Sequence, residues 1–142
     1  MQTWCKSNLL EVFLLNTYYL KFIMLTNNDK AKLEFVLQML DEVQLLIQRY
    51  ESTYKALIDF AGKNSILFNM LQIGEKLNKI QSLEIRDLLP IKEAYSIRNR
   101  ITHDYDGIDL QIVEEIITFE FPKLKSELMA ILNNSAGFKN HT

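Results

Sequence analysis

Glycine and proline are scarce in this chain, which has 4 glycines and 2 prolines among 142 residues. Average globular sequences contain roughly 12% of these two residue types, and a β-sandwich requires turn signals every ~8–12 positions. The chain has too few turn-forming residues for such a fold. Its 48% apolar and 24% charged residues also argue against a disordered chain and against a bundle of membrane helices. The composition predicts a mostly helical globular domain.

Charge and cysteine content narrow the class of protein further. The chain has 16 Lys and Arg against 18 Asp and Glu, a net charge of −2, whereas a general DNA-binding protein carries a large basic excess. Its single cysteine, Cys5, cannot form a disulfide within the chain. Free thiols are typical of the reducing cytoplasm. We therefore expect a cytoplasmic protein.

Apolar residues recur at steps of three and four positions from Leu33 to Ala61, as they do on one face of an amphipathic helix. This spacing predicts a first helix over about 29–50. Three residues at its start are competent N-caps, namely Asn27, Asn28 and Asp29.

Glycine and serine predict the next boundaries. A short helix is expected over about 53–60, with Gly62 as a C-cap and Ser65 as the N-cap of a third helix over about 65–80. Gly74 interrupts that third helix at a cost of about 1 kcal/mol relative to alanine. We expect this glycine to mark a close approach of two helices.

The remaining helices follow from proline and aspartate. Pro90 suits the first turn of a fourth helix that runs from Ile91 to about Tyr105. Asp109 is expected to cap a fifth helix, kinked or restarted at Pro122 and ending near Leu132. The pattern predicts an all-α fold, an antiparallel bundle of four to five helices.

The first part of the chain contains an apolar stretch, Asn8–Leu25, whose role stays open. Three polar residues interrupt it, which argues against a membrane-spanning helix: Glu11, Asn16 and Lys21. The stretch is either an added helix or an upstream extension preceding a translation start at Met24. We therefore divide the chain into an N-terminal extension, a helical domain and a polar tail, over residues 1–24, 25–133 and 134–142.

Polar residues that can carry chemistry concentrate in the fourth helix. Ile97 and Ile101 are expected to face the core, and Asn99 and His103 share another face one turn apart. Arg98 is adjacent to Asn99 in angle, so its long side chain can reach toward the same place. His141 lies next to the C-terminus, so His103 is the candidate histidine. With a single cysteine and no histidine cluster, no metal site is predicted.

These residue types suit phosphodiester cleavage. A guanidinium binds phosphate oxygens and stabilises charge on phosphorus, and an imidazole removes a proton from a ribose 2′-hydroxyl near neutral pH. Asn99 can orient the imidazole or bind substrate. The reaction needs a second proton-transfer group, which a two-fold dimer would supply. The same residues can instead cap the helix carbonyls and favour the helix dipole.

The segment Arg98-Asn99-x3-His103-x-Tyr105 resembles the Arg-x4-His-x-Tyr signature of HepT-like toxins, a branch of the HEPN ribonuclease superfamily. The likeness extends in the expected order over about Met24–Leu132. Further matching segments lie at 71–79, 105–109 and 121–124. The chain departs from the family pattern at Ile97, where many relatives have Met, and at Ile91 or Lys92, where many have Trp. These departures look like packing changes.

The resemblance implies a homodimeric bundle with endoribonuclease activity that is toxic to the cell. Carried onto this chain, Arg98 and His103 are catalytic and Asn99 is supporting. Related toxins pair with an MNT-type minimal nucleotidyltransferase antitoxin, and similar enzymes transfer AMP onto the tyrosine of the signature, here Tyr105. The expected substrate is RNA, with no metal, no resident cofactor and no membrane attachment.

Two other interpretations remain open. In the first, the chain is a non-catalytic helical subunit that binds nucleotide or RNA for a nucleotidyltransferase. In the second, it is a structural dimer in which the motif is incidental. The sequence does not identify which RNA would be cleaved, or where.

Overall fold

The computed structural model describes residues 25–136, and within this range the chain is all-α and has no strand. The helices are α1 (Asn27–Tyr50), α2 (Thr53–Ile58), α3 (Phe60–Asn78), α4 (Leu83–Leu88), α5 (Ile91–His103), α6 (Leu110–Glu115) and α7 (Phe121–Ala136). A π-helical segment, Ile116–Glu120, joins α6 to α7. The predicted fold class is confirmed, with α1, α3, α5 and α7 as the long helices.

Contacts between helix ends show that α1 and α5 both run antiparallel to α3. Lys32 near the start of α1 donates to the carbonyl of Lys79 beyond the end of α3, at 2.6 Å. Tyr105 beyond the end of α5 donates to Asn64 near the start of α3, at 2.8 Å. Helix α3 lies between α1 and α5, while α7 packs on α1. The predicted antiparallel bundle is therefore the observed architecture.

The N-cap of helix α1 lies one residue before the three expected candidates. Its N-cap is Thr26, whose hydroxyl accepts a hydrogen bond from the amide of Asp29 at 3.1 Å. The prediction that Asn27, Asn28 or Asp29 caps the helix is therefore wrong. The carboxylate of Asp29 is instead fully buried and accepts from the amides of Gln81 and Ser82, at 3.0 and 2.9 Å. These amides precede α4, so Asp29 ties the start of α1 to the loop between α3 and α4.

The predicted break at Gly62 and Ser65 is also wrong, because α3 starts at Phe60 and includes both residues. The N-cap is Asp59, whose carboxylate accepts from the amide of Gly62 at 2.9 Å. Gly62 is buried in the first turn of α3, where a Cβ would overlap the carbonyl oxygen of Ala56. The glycine therefore permits the close turn from α2 into α3.

Gly74 marks a close helix approach, as predicted. A Cβ at this position would lie 2.6 Å from the Cβ of Arg98 and 2.7 Å from the carbonyl oxygen of Ala94. Real Cβ atoms essentially never come this close to neighbouring atoms. The absent side chain at Gly74 therefore lets α3 and α5 pack backbone to backbone beside the predicted site.

The last helical stretch confirms Asp109 as an N-cap, since its carboxylate accepts from the amide of Gln111 at 2.9 Å. Pro122 has no amide hydrogen to donate to the preceding turn. Just before it, the amide of Phe121 bonds to the carbonyl of Ile116, five residues back, in a π-helical turn. The proline thus widens one turn rather than ending the helix, and α7 continues to Ala136, beyond the predicted end at Leu132.

The core lies along the axis of the bundle and draws on every long helix. Fully or almost fully buried members include Leu33, Val36, Ile66, Leu67, Ile73, Leu77, Ile101, Leu124 and Leu128. No helix among residues 25–136 is long and apolar enough to cross a membrane. Three features of the sequence analysis lie outside the described residues: Cys5, His141 and the apolar stretch at Asn8–Leu25 apart from Leu25 itself. The division of the chain at residues 24 and 133 stays a prediction.

Candidate functional site

Helix α5 positions the candidate residues because its two faces differ. Ala94, Ile97 and Ile101 are buried, as the spacing predicts for the core face. At about 100° per residue, Asn99 and His103 point to the opposite side. The polar face therefore follows from the 3.6-residue repeat of a single helix.

This polar face of α5 forms one wall of a solvent-open groove of about 670 Å³, here called the α5 groove. The wall opposite belongs to α6 and the turn before it, and isoleucines of both helices make an apolar floor. The groove is lined by Asn78, Arg86, Ile91, Lys92, Tyr95, Ser96, Ile97, Asn99, Arg100, His103, Asp104, Gly107, Ile108, Asp109, Ile112, Val113 and Ile116. The candidate site is therefore a cleft rather than a flat helix surface.

His103 is the last residue of α5 and is exposed at one end of the α5 groove. The next residue, Asp104, ends the helix, and its carboxylate accepts a hydrogen bond from the amide of Gly107 at 3.1 Å. Within residues 25–136 the imidazole makes no hydrogen bond or ion pair with another side chain. The ring is open to a ligand, as a proton-transfer group must be.

Arg98 lies on the side of α5 that faces α3, and it does not line the α5 groove. Its Nε lies 3.2 Å from a carboxylate oxygen of Glu75, so the two side chains form an ion pair. Its guanidinium also lies 5.5 Å from the centre of the Tyr95 ring, a cation–π distance. Arg98 is therefore held by one carboxylate and one aromatic ring.

Asn99 connects Arg98 to the α5 groove. Its side-chain oxygen accepts a hydrogen bond from Arg98 Nη1 at 3.0 Å, while the residue itself lines the groove that contains His103. The structure thus brings Asn99 and His103 into one cleft and attaches Arg98 to its edge. Arg98 and His103 are not placed side by side within one chain.

Tyr105 lies just beyond α5 and outside the groove lining. Its half-buried phenol donates a hydrogen bond to the side-chain oxygen of Asn64 at 2.8 Å. Burial, and to a lesser degree the nearby carboxylate of Asp106, raises the pKa of the Tyr105 phenol above its ordinary value of 10.0. The phenol is therefore protonated at neutral pH.

Sequence reasoning alone did not identify two of these partners. Asn64 lies between the predicted C-cap Gly62 and N-cap Ser65, and it contacts Tyr105 across 41 positions of the chain. For Glu75, within the family-like segment at 71–79, a solvated charge and a role in the site were both open, and no contact was assigned. Among residues 25–136 there is no group of three or more His, Cys, Asp and Glu side chains arranged to hold a metal ion.

Comparison with known families assigns the chain to one class of protein. The sequence profile of the family described as "Ribonuclease HepT-like" matches residues 36–131, which include α3, α5 and the whole Arg98–Tyr105 segment. The chain belongs to the HepT-like ribonuclease family. The resemblance seen in the sequence is thereby confirmed.

Two curated proteins of the archaeon Methanocaldococcus jannaschii are similar to this chain. The one named "Putative RNase MJ1216" is 30% identical over 112 residues, covering 76% of this chain and 90% of the relative. The one named "Putative RNase MJ0125" is 29% identical over 83 residues, covering 54% and 71%. No solved structure matches the chain significantly.

Proposed function

We propose that this chain is a metal-independent endoribonuclease and the toxin of a toxin–antitoxin pair. The observation that carries the proposal is the position of His103, exposed at the end of a groove and next to Asn99, which is bonded to Arg98. Membership of a ribonuclease family supports RNA as the substrate. The active unit in this proposal is a cytoplasmic homodimer.

His103 acts as the general base in the proposed reaction. The neutral imidazole takes the proton of a ribose 2′-hydroxyl, and the 2′-oxygen attacks the adjacent phosphorus. The bond from phosphorus to the 5′-oxygen breaks, so the products are a 2′,3′-cyclic phosphate and a 5′-hydroxyl. The 5′-oxygen must receive a proton as it leaves, which requires an acid on the other side of the phosphate.

A second copy of the chain supplies that acid and completes the site. Within one chain Arg98 and His103 lie on different sides of α5. In a two-fold dimer with facing grooves, each chain contributes one imidazole, so one ring takes a proton while the other donates one. The Arg98 guanidinium, a fixed cation, stabilises the charge that develops on the phosphate oxygens.

Tyr105 is the proposed point of neutralisation by an MNT-type nucleotidyltransferase antitoxin. The phenol oxygen attacks the α-phosphorus of ATP, pyrophosphate leaves, and the phenol proton passes to a base of the antitoxin. A tyrosine phenol is protonated at neutral pH, so a base must take its proton during the transfer. The attached AMP adds bulk and a negative charge two residues from His103, which repels RNA. Mass spectrometry of the chain after incubation with ATP and the antitoxin is expected to find adenylate on Tyr105.

The central test uses the purified variants Arg98→Ala and His103→Ala with single-stranded RNA in the presence of EDTA. Each variant is expected to lose cleavage by about 10²–10⁴-fold, the usual contribution of a proton-transfer or charge-stabilising group. Circular dichroism should show unchanged helix content, because His103 is exposed and Arg98 is part-exposed. Unchanged cleavage by both variants would contradict the proposal.

A non-catalytic nucleotide- or RNA-binding subunit of a nucleotidyltransferase is the second candidate. The position of Arg98 outside the groove lining favours it, because the groove of one chain can bind a ligand without bringing this guanidinium and His103 together. The variant His103→Gln separates the two functions. It keeps hydrogen bonding but cannot transfer protons, so it abolishes cleavage and leaves pure binding intact.

A further inference from the structure

The α5 groove contains more positive charge than the proposed chemistry uses. Lys92 and Arg100 both line it and are both exposed. Lys92, Asn99 and His103 fall within about 40° of one another on the helix, and Arg100 lies about 60° from His103. The groove wall is thus a polar row that leads away from His103 toward the start of α5.

These two cations differ from the third cation of the groove, Arg86. The Nη1 of Arg86 donates to the carbonyl oxygens of Asn78 and Ile80, at 2.8 and 2.9 Å, so Arg86 caps the end of α3. Within residues 25–136, neither Lys92 nor Arg100 forms an ion pair or a side-chain hydrogen bond. Their charges are therefore available to a ligand in the groove.

The acidic groups of the groove are at its other end and are engaged with the backbone. Asp104 accepts from the amide of Gly107 and Asp109 accepts from the amide of Gln111. The groove therefore has carboxylates beyond His103 and free cations on the side of Lys92. An anionic chain bound at His103 is favoured to extend toward Lys92.

We propose that Lys92 and Arg100 bind the phosphates of the single-stranded RNA on one side of the cleaved bond. The proposal rests on the proposed function, because it takes His103 as the point of cleavage. Arg100 is about 4.5 Å from His103 along the helix axis, whereas Lys92 is about 16 Å away. Arg100 therefore meets a phosphate close to the reacting one, and Lys92 meets a phosphate farther along the strand.

Tyr95 lies between this row and Arg98. Its ring is half-buried, lines the groove, and has the Arg98 guanidinium 5.5 Å from its centre. Aromatic rings are the usual stacking surfaces for bases of single-stranded nucleic acids. An RNA whose phosphates follow Lys92 and Arg100 would have a base within reach of this ring.

Binding of a fluorescent RNA octanucleotide tests the proposal without any need for cleavage. All variants are made in the His103→Ala background, which keeps the RNA intact. Lys92→Ala and Arg100→Ala are each expected to weaken binding roughly three- to tenfold at low salt and to lower the slope of log affinity against log salt by about 0.7. The matched control is Lys55→Ala, which removes an equal charge from an exposed lysine outside the groove.

Cleavage of substrates of different length distinguishes the role of Lys92 from that of Arg100. These measurements use chains that keep His103. Lys92→Ala is expected to raise KM for the octanucleotide with kcat unchanged, the result of losing binding energy equal in ground and transition states. It is expected to leave cleavage of a dinucleotide unchanged, because so short a substrate does not reach Lys92.

The proposed binding of RNA phosphates by Lys92 and Arg100 is here called the RNA track. The outcomes distinguish it from the nuclease proposal. If Lys92→Ala and Arg100→Ala bind RNA as well as Lys55→Ala does, the track is wrong, whatever the cleavage results are. If they weaken binding but the wild-type chain never cleaves RNA, the track stands and the nuclease proposal fails. Equal loss of dinucleotide and octanucleotide cleavage in Lys92→Ala would also contradict the track, since it would indicate a general structural effect.

Discussion

Two charged regions at opposite ends of α5 are built in contrasting ways. At the junction of α1, α3 and α4, Asp29 is fully buried and accepts two backbone amide hydrogen bonds. Lys32 and Arg86 at the same junction donate to backbone carbonyls at the end of α3. At the end of α5, by contrast, His103 is exposed and makes no such contact with the rest of residues 25–136.

The difference shows which charges hold the fold and which are left for a ligand. A buried carboxylate is stable only when its oxygens are hydrogen-bonded, and Asp29 satisfies this with amides that would otherwise lack partners. A cation exposed in a groove contributes little to the stability of the fold. Charged groups at the junction should therefore control stability, and those along the α5 groove should control activity.

The largest expected effect on stability is that of Asp29→Ala. The substitution leaves the amides of Gln81 and Ser82 without acceptors, and each hydrogen bond to a charged group contributes about 1.5–3 kcal/mol. We expect the free energy of unfolding to fall by about 3–5 kcal/mol, measured by urea denaturation followed by circular dichroism.

Its matched control is Asp41→Ala, which removes a part-exposed carboxylate paired with Lys125 at 2.7 Å. Surface ion pairs contribute about 0–1 kcal/mol. Equal destabilisation by the two substitutions would mean that a buried, hydrogen-bonded carboxylate stabilises this fold no more than an exposed one.

An intermediate effect is expected for Gly74→Ala, which affects both stability and activity. The new methyl group would meet the Cβ of Arg98 and the carbonyl of Ala94. Overpacking costs about 1–3 kcal/mol, and alanine returns about 1 kcal/mol of helix propensity. We expect the free energy of unfolding to fall by a net of about 0–2 kcal/mol in thermal or urea unfolding, together with slower cleavage as Arg98 is displaced.

Ser65→Ala on the exposed surface of the same helix controls for the change in helix propensity. It should leave cleavage unchanged and raise the free energy of unfolding by no more than about 0.7 kcal/mol. If Gly74→Ala stabilised the protein, α3 and α5 could not be as close as described.

The smallest effect on stability is expected for Glu75→Gln. The carboxylate is about one-third exposed, so the loss of its ion pair with Arg98 should change the free energy of unfolding by less than about 1 kcal/mol. Cleavage, however, is expected to fall by roughly tenfold, because the guanidinium loses the partner that orients it. Initial rates at saturating RNA measure this effect.

Lys79→Ala removes the other cation bound to Glu75, at 3.2 Å, and leaves the contact with Arg98 in place. It should cleave RNA at the wild-type rate. Full activity of Glu75→Gln would show that Glu75, like Asp29, serves the fold rather than cleavage.

Much of α5 could be predicted from the sequence because the relevant geometry is local. The spacing of Ile97 and Ile101 placed them in the core, and that of Asn99 and His103 placed them together on another face, as observed. The cap at Asp109 followed from the same local rules. The predicted cap at Asp29 failed because amides more than 50 positions away bind its carboxylate, which leaves Thr26 as the cap. The predicted break at Gly62 failed for a local reason, since Asp59 three residues earlier caps α3.

The sequence by itself determined an all-α bundle, its family, and the direction in which each residue of α5 points. These properties depend on helix periodicity and on a motif contained in a few turns. Only the tertiary structure decided that Arg98 pairs with Glu75, that Tyr105 bonds to Asn64, and that α6 closes a groove beside His103. The first two contacts join segments 23 and 41 positions apart, and the groove depends on where the turn after α5 places α6. None of the three follows from the periodicity of one helix.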